Sequence, residues 1–438
     1  RYLYDDGFAE LLRDFMGRGE SGDKLTLILN GDIVDFDLVT AVPDDPPWPV
    51  SGAERRRGLD STEAKSAWKL KHALSFHPRW LAALAEFMAA GHKLVYVMGN
   101  HDRELHYPQV QRAFIEALEQ QAKEQDLSLA RGSLVFEPWF YYVPREIYAE
   151  HGHQYDFYNS FRYQLCPVVE DDGERRLALP MGNLSNRFLM SRMGFFNPHG
   201  TEFILNLFAY IFHWFKYYAF SRHCLAITWL TGSLLVLGKL FRLRRLLRVE
   251  PPKHRDRLER EARTYDLPVS EIEALGQLAR TPITQRVFRM LRELWIDRLV
   301  IALLMTGGTV TLALVPVPLW IKLMVPLTGF PLLYFVYEWA VKGENVFTIE
   351  QELPNRARAV ARVLPARVIT FGHTHKPRMI PLSRHTTFVD TGTWAPVTER
   401  NSRRLKDGLR TYLEVSFQHK TANIELGSWM PPRGGNSG

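Results

Sequence analysis

Residues 24–35 read KLTLILNGDIVD, an apolar run too short for a helix that closes on Asn-Gly-Asp. Such a run bounded by a glycine turn is the pattern of a buried strand delivering its last residues to a loop. The pattern returns three times: KLVYVMGNHD at 93–102, REIYAEHGH at 145–153 and ARVITFGHTH at 366–375. Helical spacing fills the intervals, in FAELLRDFM (8–16), in HPRWLAALAEFMAAG (77–91) stopped by Gly91, in YPQVQRAFIEALEQQAKEQ (107–125) and in PNRARAVARVL (354–364). This alternation predicts an α/β (α+β) fold. In such folds ligands bind beyond the carboxyl ends of the strands, so the four strand ends carrying Gly with Asp, Asn or His are expected to converge.

The rest of the composition narrows the class. The 438 residues are 46% apolar and 24% charged, with mean hydropathy −0.19, which excludes a disordered or fibrous chain and one that is mostly membrane. The net charge of +7 is modest. Cys166 and Cys224 stand far apart, so neither a disulfide framework nor a thiolate metal site is expected. The opening RYLYDDGFAELLRDF lacks a basic start followed by an apolar core and does not read as a signal peptide.

Between Gly152 and Gly372 the character changes. FILNLFAYIFHWFKYYAF (203–220) and CLAITWLTGSLLVLG (224–238) are apolar runs; KLFRLRRLLR (239–248) is basic; SEIE at Ser270–Glu273 has the form of a capping box. Leu299–Ile321 holds 23 residues without a charge, long enough to span a bilayer. The plain alternative is a buried helical core in a cap domain. Chain length, terminal aromatics and the neighbouring basic block favour lipid, since cytoplasmic flanks of membrane segments are enriched in Lys and Arg. Motifs on both sides must share one site, so crossings come in pairs, with hairpin turns expected near Ser221–His223 and at Val315–Pro318. The run 203–220, which carries Asn206, His213 and Lys216, suits the interface better than a span.

The chemistry sits in four motifs: GDIVD (Gly31–Asp35), GNHD (Gly99–Asp102), HGH (His151–His153) and GHTH (Gly372–His375). Carboxylate, amide oxygen and imidazole together suit divalent Mn, Fe or Zn, and the glycines let backbone and ligand approach a metal closely. Singly, each motif reads equally well as an ordinary turn. Their order, each after an apolar run, is what carries weight.

In that order the motifs resemble the calcineurin-like metallophosphoesterase superfamily, over residues 1 to about 153 and 354 to about 425. The resemblance implies a β-sandwich flanked by helices around a centre of two divalent ions, Mn first. It implies that Asp32 bridges both ions, that Asn100, His151 and His373 hold the second and that His375 belongs to the first. His101 then acts on the leaving oxygen with Asp102 orienting it, while Asp35 and His153 lie outside the ligand shell. VDTGTW at 389–394 resembles a further strand and loop near the site. The family's opening Asp-x-His is not among these residues, and such a motif is expected upstream of Arg1; otherwise the centre is degenerate.

The insertion occupies the interval where UDP-2,3-diacylglucosamine hydrolases carry a helical lid, an analogy of position. The expected organisation is a phosphoesterase core at 1–160 and 351–426, an inserted helical region with membrane hairpins and a basic cap at 161–350, and a tail at 427–438. The expected activity is hydrolysis of a phosphoester or pyrophosphate of an amphiphilic, lipid-linked substrate at the membrane, with the catalytic part facing the cytoplasm. A membrane-anchored phosphatase acting on a soluble substrate and a metal-poor membrane scaffold are the alternatives. No nucleic-acid partner is expected, because basic residues cluster beside the apolar runs without interleaved aromatics.

Overall fold

Strand β1 (Thr26–Asn30) pairs in parallel with β2 (Lys93–Val97), and β2 in parallel with β3 (Leu134–Glu137). The side chains of Leu94, Val95, Tyr96 and Val97 are fully buried, as expected of a central parallel strand covered on both faces. Helices Asp5–Arg18, Glu63–Leu74, Pro78–Ala89 and Pro108–Glu124 pack around this sheet. Pro78 and Pro108 begin their helices, where a missing N–H costs nothing. The computed structural model describes residues 4–18, 24–189, 225–341, 346–395, 397–398, 405–406, 409–418 and 421–430.

The chain continues through the antiparallel pair β4 (Phe140–Val143) and β5 (Ile147–Glu150), then the small hairpin β6 (Val168–Asp171) and β7 (Glu174–Leu177). After the helical insertion come β8 (Val368–Phe371), β9 (Arg378–Pro381) and β10 (Thr387–Asp390), which complete a second sheet of order β4-β5-β8-β10-β9. β5 and β8 are parallel neighbours, so chain on either side of the insertion meets in one sheet. The short pair β11 (Val397–Thr398) and β12 (Leu405–Lys406) precedes the hairpin β13 (Thr411–Gln418) and β14 (Thr421–Ser428). Leu413, Val415, Phe417, Ile424 and Leu426 of that hairpin pack on Ile147, Val368 and Val389. The fold is therefore mixed α and β with several sheets. Of the tail expected from 427, Gly427 and Ser428 belong to β14, Trp429 stacks on Trp394, and 431–438 lie outside the described residues.

The insertion departs from expectation in three places. Residues 225–246 form one helix that joins the second apolar run to the basic block, and Val236, Leu240 and Leu243 on one side of it are buried in the protein. The run 203–220 and the turn at Ser221–His223 lie outside the described residues. The S-x-x-E at 270–273 is no capping box: the helix Val269–Gln277 starts after Pro268, so Ser270 is already inside it. A capping box does form at Ser51 and Glu54, whose side chains each accept from the other's backbone N–H at 3.2 and 2.8 Å. The last insertion helix, Val346–Val363, starts before the expected boundary at 351 and runs through Pro354.

The uncharged run is helical and turns where expected. Ile296–Leu314 and Leu319–Ala340 are helices long and apolar enough to cross a membrane, joined by a turn at Val315–Pro318, and none of their residues is buried within the protein. Gly308 gives Phe330 room to pack across the pair, since a Cβ there would stand 3.1 Å from the ring. Charge is confined to the ends. Arg298 pairs with Glu338 at 2.7 Å and Tyr337 donates to Asp297 at the base, while Lys322 donates to the Ala313 carbonyl at 2.8 Å near the tip.

Candidate metal centre

Gly31 and Asp32 follow β1 with φ of 78° and 55°, two consecutive left-handed residues that fold the Asp32 carboxylate back over the sheet end. An aspartate tolerates this conformation better than most residues, and a side chain at Gly31 would collide with the His151 ring, 2.5 Å away. Gly152, at φ 91°, makes the equivalent turn after β5. Asp32 Oδ2 lies 3.0 Å from His151 Nε2, which in turn lies 3.3 Å from His373 Nδ1. With bonds of about 2.1 Å to one ion, ligand atoms stand roughly 3.0–3.4 Å apart along the edges of a coordination polyhedron, so these separations fit a shared ion.

The neighbours hold the rings in the required state. His151 Nδ1 donates to the Asn30 carbonyl at 2.9 Å, which fixes the ring with Nε2 facing Asp32 and His373. His373 Nε2 lies 3.1 Å from Asp156 Oδ2, the carboxylate–histidine arrangement that orients metal ligands. Asp156 also accepts from Asn159 Nδ2 at 2.8 Å. Asn100 is almost fully buried and its Oδ1 accepts no hydrogen bond, an orphan oxygen donor of the kind a cation satisfies. Burial opposes the charge on Asp32, but His151 and His101 outweigh it and hold the carboxyl well below its ordinary range.

A second group lies alongside. His101 Nδ1 is 3.3 Å from Asp35 Oδ1 and 3.2 Å from Asp37 Oδ2, and the His101 backbone N–H donates to Asp32 Oδ1 at 2.8 Å. Burial would lower the His101 pKa, yet Asp35, Asp32 and Asp37 raise it well above the ordinary value. Asn183, from the helix Met181–Phe188, donates to Asp37 Oδ2 at 2.6 Å and to the Asn100 carbonyl at 2.8 Å. Both groups, Asp32–His151–His373 and Asp35–Asp37–His101, could hold a metal ion.

The expected residues thus fall into three sets. Asp32, His151 and His373 come together, with His101 bonded to Asp32 through its backbone and Asn100 next to His101 in the loop after β2. Asp102 is buried nearby and its carboxylate is engaged by the loops around it. Its carboxylate accepts from the backbone N–H of Gly99 at 2.5 Å and of Ile33 at 3.0 Å and from Tyr96 Oη at 2.9 Å, tying the two strand-end loops together. The orienting contacts belong to Asp35 and Asp37. His153 sits behind the His151 and His373 rings and pairs with Arg103 Nη2 at 2.5 Å and Gln164 at 2.9 Å. His375, at φ 59°, belongs to neither ligand group. Asp37, Asp156, Asn159 and Asn183 were not anticipated. The third aspartate of DIVDFD, two residues past the motif, was the only available signal for Asp37.

No protein-family model matches the chain, and no curated protein or solved structure matches it either.

Proposed function

We propose that the chain is a membrane-anchored metal-dependent phosphoesterase of the calcineurin-like kind, hydrolysing a phosphoester or pyrophosphate bond in a lipid-linked substrate. The convergence of Asp32 Oδ2, His151 Nε2 and His373 Nδ1 carries this reading, and the buried, unsatisfied Oδ1 of Asn100, the residue before His101, supports it. Asp32, Asn100, His151 and His373 would hold one divalent ion, Mn being the first choice; the resemblance assigns Asp32 and His375 to a second, although His375 stands outside both ligand groups. When bound, such ions supply Lewis-acid polarisation of a phosphoryl oxygen and activation of water. Asp35 and Asp37 keep His101 charged and aimed, so that it donates a proton to the leaving oxygen. Asp102 and Asn183 hold the loops that carry Asp32, Asn100 and His101 in register.

The hairpin 296–340 anchors this centre. A helix of 19 residues is about 28 Å long, close to the roughly 30 Å of bilayer hydrocarbon. The basic helix end at 239–248 rests on anionic headgroups and sets the catalytic part on the cytoplasmic side. The deciding experiment uses the full chain in detergent, loaded with Mn²⁺. It is offered a nucleotide-sugar lipid, a phospholipid phosphate and a soluble phosphomonoester. Metal-dependent cleavage favouring an amphiphile supports the reading. Equal cleavage of the soluble ester moves it to an anchored phosphatase, and failure to bind metal moves it to a scaffold.

A further inference from the structure

A cleft of about 340 Å³ opens between the helix Met181–Phe188, the β6–β7 hairpin and the helix Leu225–Leu246, apart from the ligand groups of the metal centre. Its polar end gathers Arg176, Arg187 and Lys239 around Asp60. Asp60 is 2.7 Å from Arg176 and 3.9 Å from the buried Arg187 guanidinium, which also donates to the Gly58 and Leu59 carbonyls. Among the described residues the Lys239 ammonium makes no ion pair within 4 Å and sits 5.1 Å from the Phe188 ring. Burial pulls its pKa down. Arg242 and Asp171 also line the cleft and pair with each other at 2.6 Å, Asp172 and Glu174 pair with Arg242 and Arg176 at the rim, and Lys239 is the lining cation left over. The other end of the cleft is apolar: Leu234 and Leu235 line it and are 53% and 43% exposed, and Leu230 and Phe241 extend the exposed apolar surface along the same helix.

We propose that this cleft binds the phosphate headgroup of an anionic membrane phospholipid, with Lys239, Arg187 and Arg176 on the phosphate and Leu234 and Leu235 along the first part of an acyl chain. The Lys239 ammonium, without a carboxylate within 4 Å among the described residues, calls for an anion, and the exposed leucines beside it call for an anion with a tail. Burying a partly compensated ammonium is costly, and a charge-assisted contact to a phosphate oxygen removes that cost. The phospholipid is a bound component and is distinct from the ester hydrolysed at the metal centre.

The test is made on the full chain in neutral detergent, so that it does not depend on the hairpin entering a bilayer or on metal. Short-chain phosphatidylglycerol, phosphatidylcholine of equal chain length and inorganic phosphate are titrated separately, and binding is read by native mass spectrometry. Phosphatidylglycerol is expected to bind at one site. Lys239→Gln is expected to weaken it about 10–100-fold, as for loss of a charged hydrogen bond, and Leu235→Glu is expected to weaken it without touching the cations. Arg248→Gln, on the same basic block but outside the cleft, is expected to change it less than about twofold. Equal loss in Arg248→Gln and Lys239→Gln overturns the site in favour of diffuse attraction. Phosphatidylcholine binding as tightly, or inorganic phosphate binding as tightly, overturns the anionic-phospholipid assignment. Unchanged melting of Lys239→Gln shows that a loss is local.

Discussion

A methyl group on Gly99 would stand 2.2 Å from Asp32 Oδ1 and 2.6 Å from the Asp32 amide nitrogen. The first residue of one strand-end motif is thus the floor beneath the second residue of another. The backbone at Gly99 has no positive φ, so the demand for glycine there is one of space. Gly99→Ala must push the Asp32 carboxylate off its line to His151. We expect divalent-metal affinity to fall by about 10–100-fold, the range seen when groups supporting a ligand are lost, together with a lower melting temperature because the methyl group also meets the Asp32 backbone. Calorimetric titration of Mn²⁺ into both proteins checks it, and unchanged affinity would contradict Asp32 as a ligand.

His101 and Asp32 are expected to fail differently. His101→Ala should lower turnover by about 10²–10⁴ while metal content stays at the parent level, because its ring is held by Asp35 and Asp37 and stands outside the Asp32–His151–His373 group. Asp32→Ala should lose both. Elemental analysis beside the activity assay separates the two, and an emptied site in His101→Ala would reassign His101 to the ligands.

Asp37→Asn tests the orienting contact that replaced the one expected of Asp102. The substitution keeps a hydrogen-bonding group near Asn183 but removes a charge facing His101. Turnover near neutral pH is expected to drop about tenfold or more, with metal content unchanged, since the ring loses an aiming contact and less of it carries the proton to be donated. If Asp102→Asn gave the same kinetic signature while Asp37→Asn were silent, the roles would be reversed.

Stability should fall as pH rises through the neutral range. Burial, with Glu137 nearby, raises Glu261 to about 8, and burial raises Glu137 to about 7. In the unfolded chain both ionise near 4.5. Below that pH the two states carry the same protons and the groups contribute nothing. Between about 4.5 and 8 the native state holds protons that the unfolded state releases, so the native state loses ground progressively. Glu261→Gln should therefore melt higher than the parent at pH 8.5, by an amount corresponding to roughly 2–5 kcal/mol, and the gap should close at pH 5. A constant gap would rule out this origin.

The chain should remain with membranes through carbonate and high salt and require detergent for release, given that Ile296–Leu314 and Leu319–Ala340 bury no residue within the protein. Quantitative release by salt alone would leave the hairpin without a bilayer.

The strands that position the site were legible because a short apolar run ending in glycine has few other readings. The turn at Val315–Pro318 was legible for a related reason: two prolines interrupt an otherwise uniform apolar run. What periodicity does not carry is which loop residues meet. Asp156 and Asn159 reach His373 through a turn after β5 that no spacing rule specifies, and Asn183 arrives from a helix at the start of the insertion. The two S-x-x-E sequences make the point locally. Ser51 has extended backbone and caps a helix, whereas Ser270 follows Pro268 and is already helical. The long helix 225–246 misled because its outward leucines and its buried Val236, Leu240 and Leu243 average to one apolar run.

The parallel pairing of β5 with β8 joins residues more than two hundred positions apart, with the hairpin between them. During synthesis His151 is made long before His373, and the apolar hairpin leaves the ribosome in the interval. The order of manufacture is therefore fixed: the apolar hairpin is complete first, and Asp32, His151 and His373 assemble only afterwards. Until β8 emerges, the β5 edge stays open to mispairing and the centre has no His373 with which to retain an ion. On the proposed function, activity therefore waits until the apolar hairpin has been made, a form of quality control written into strand order.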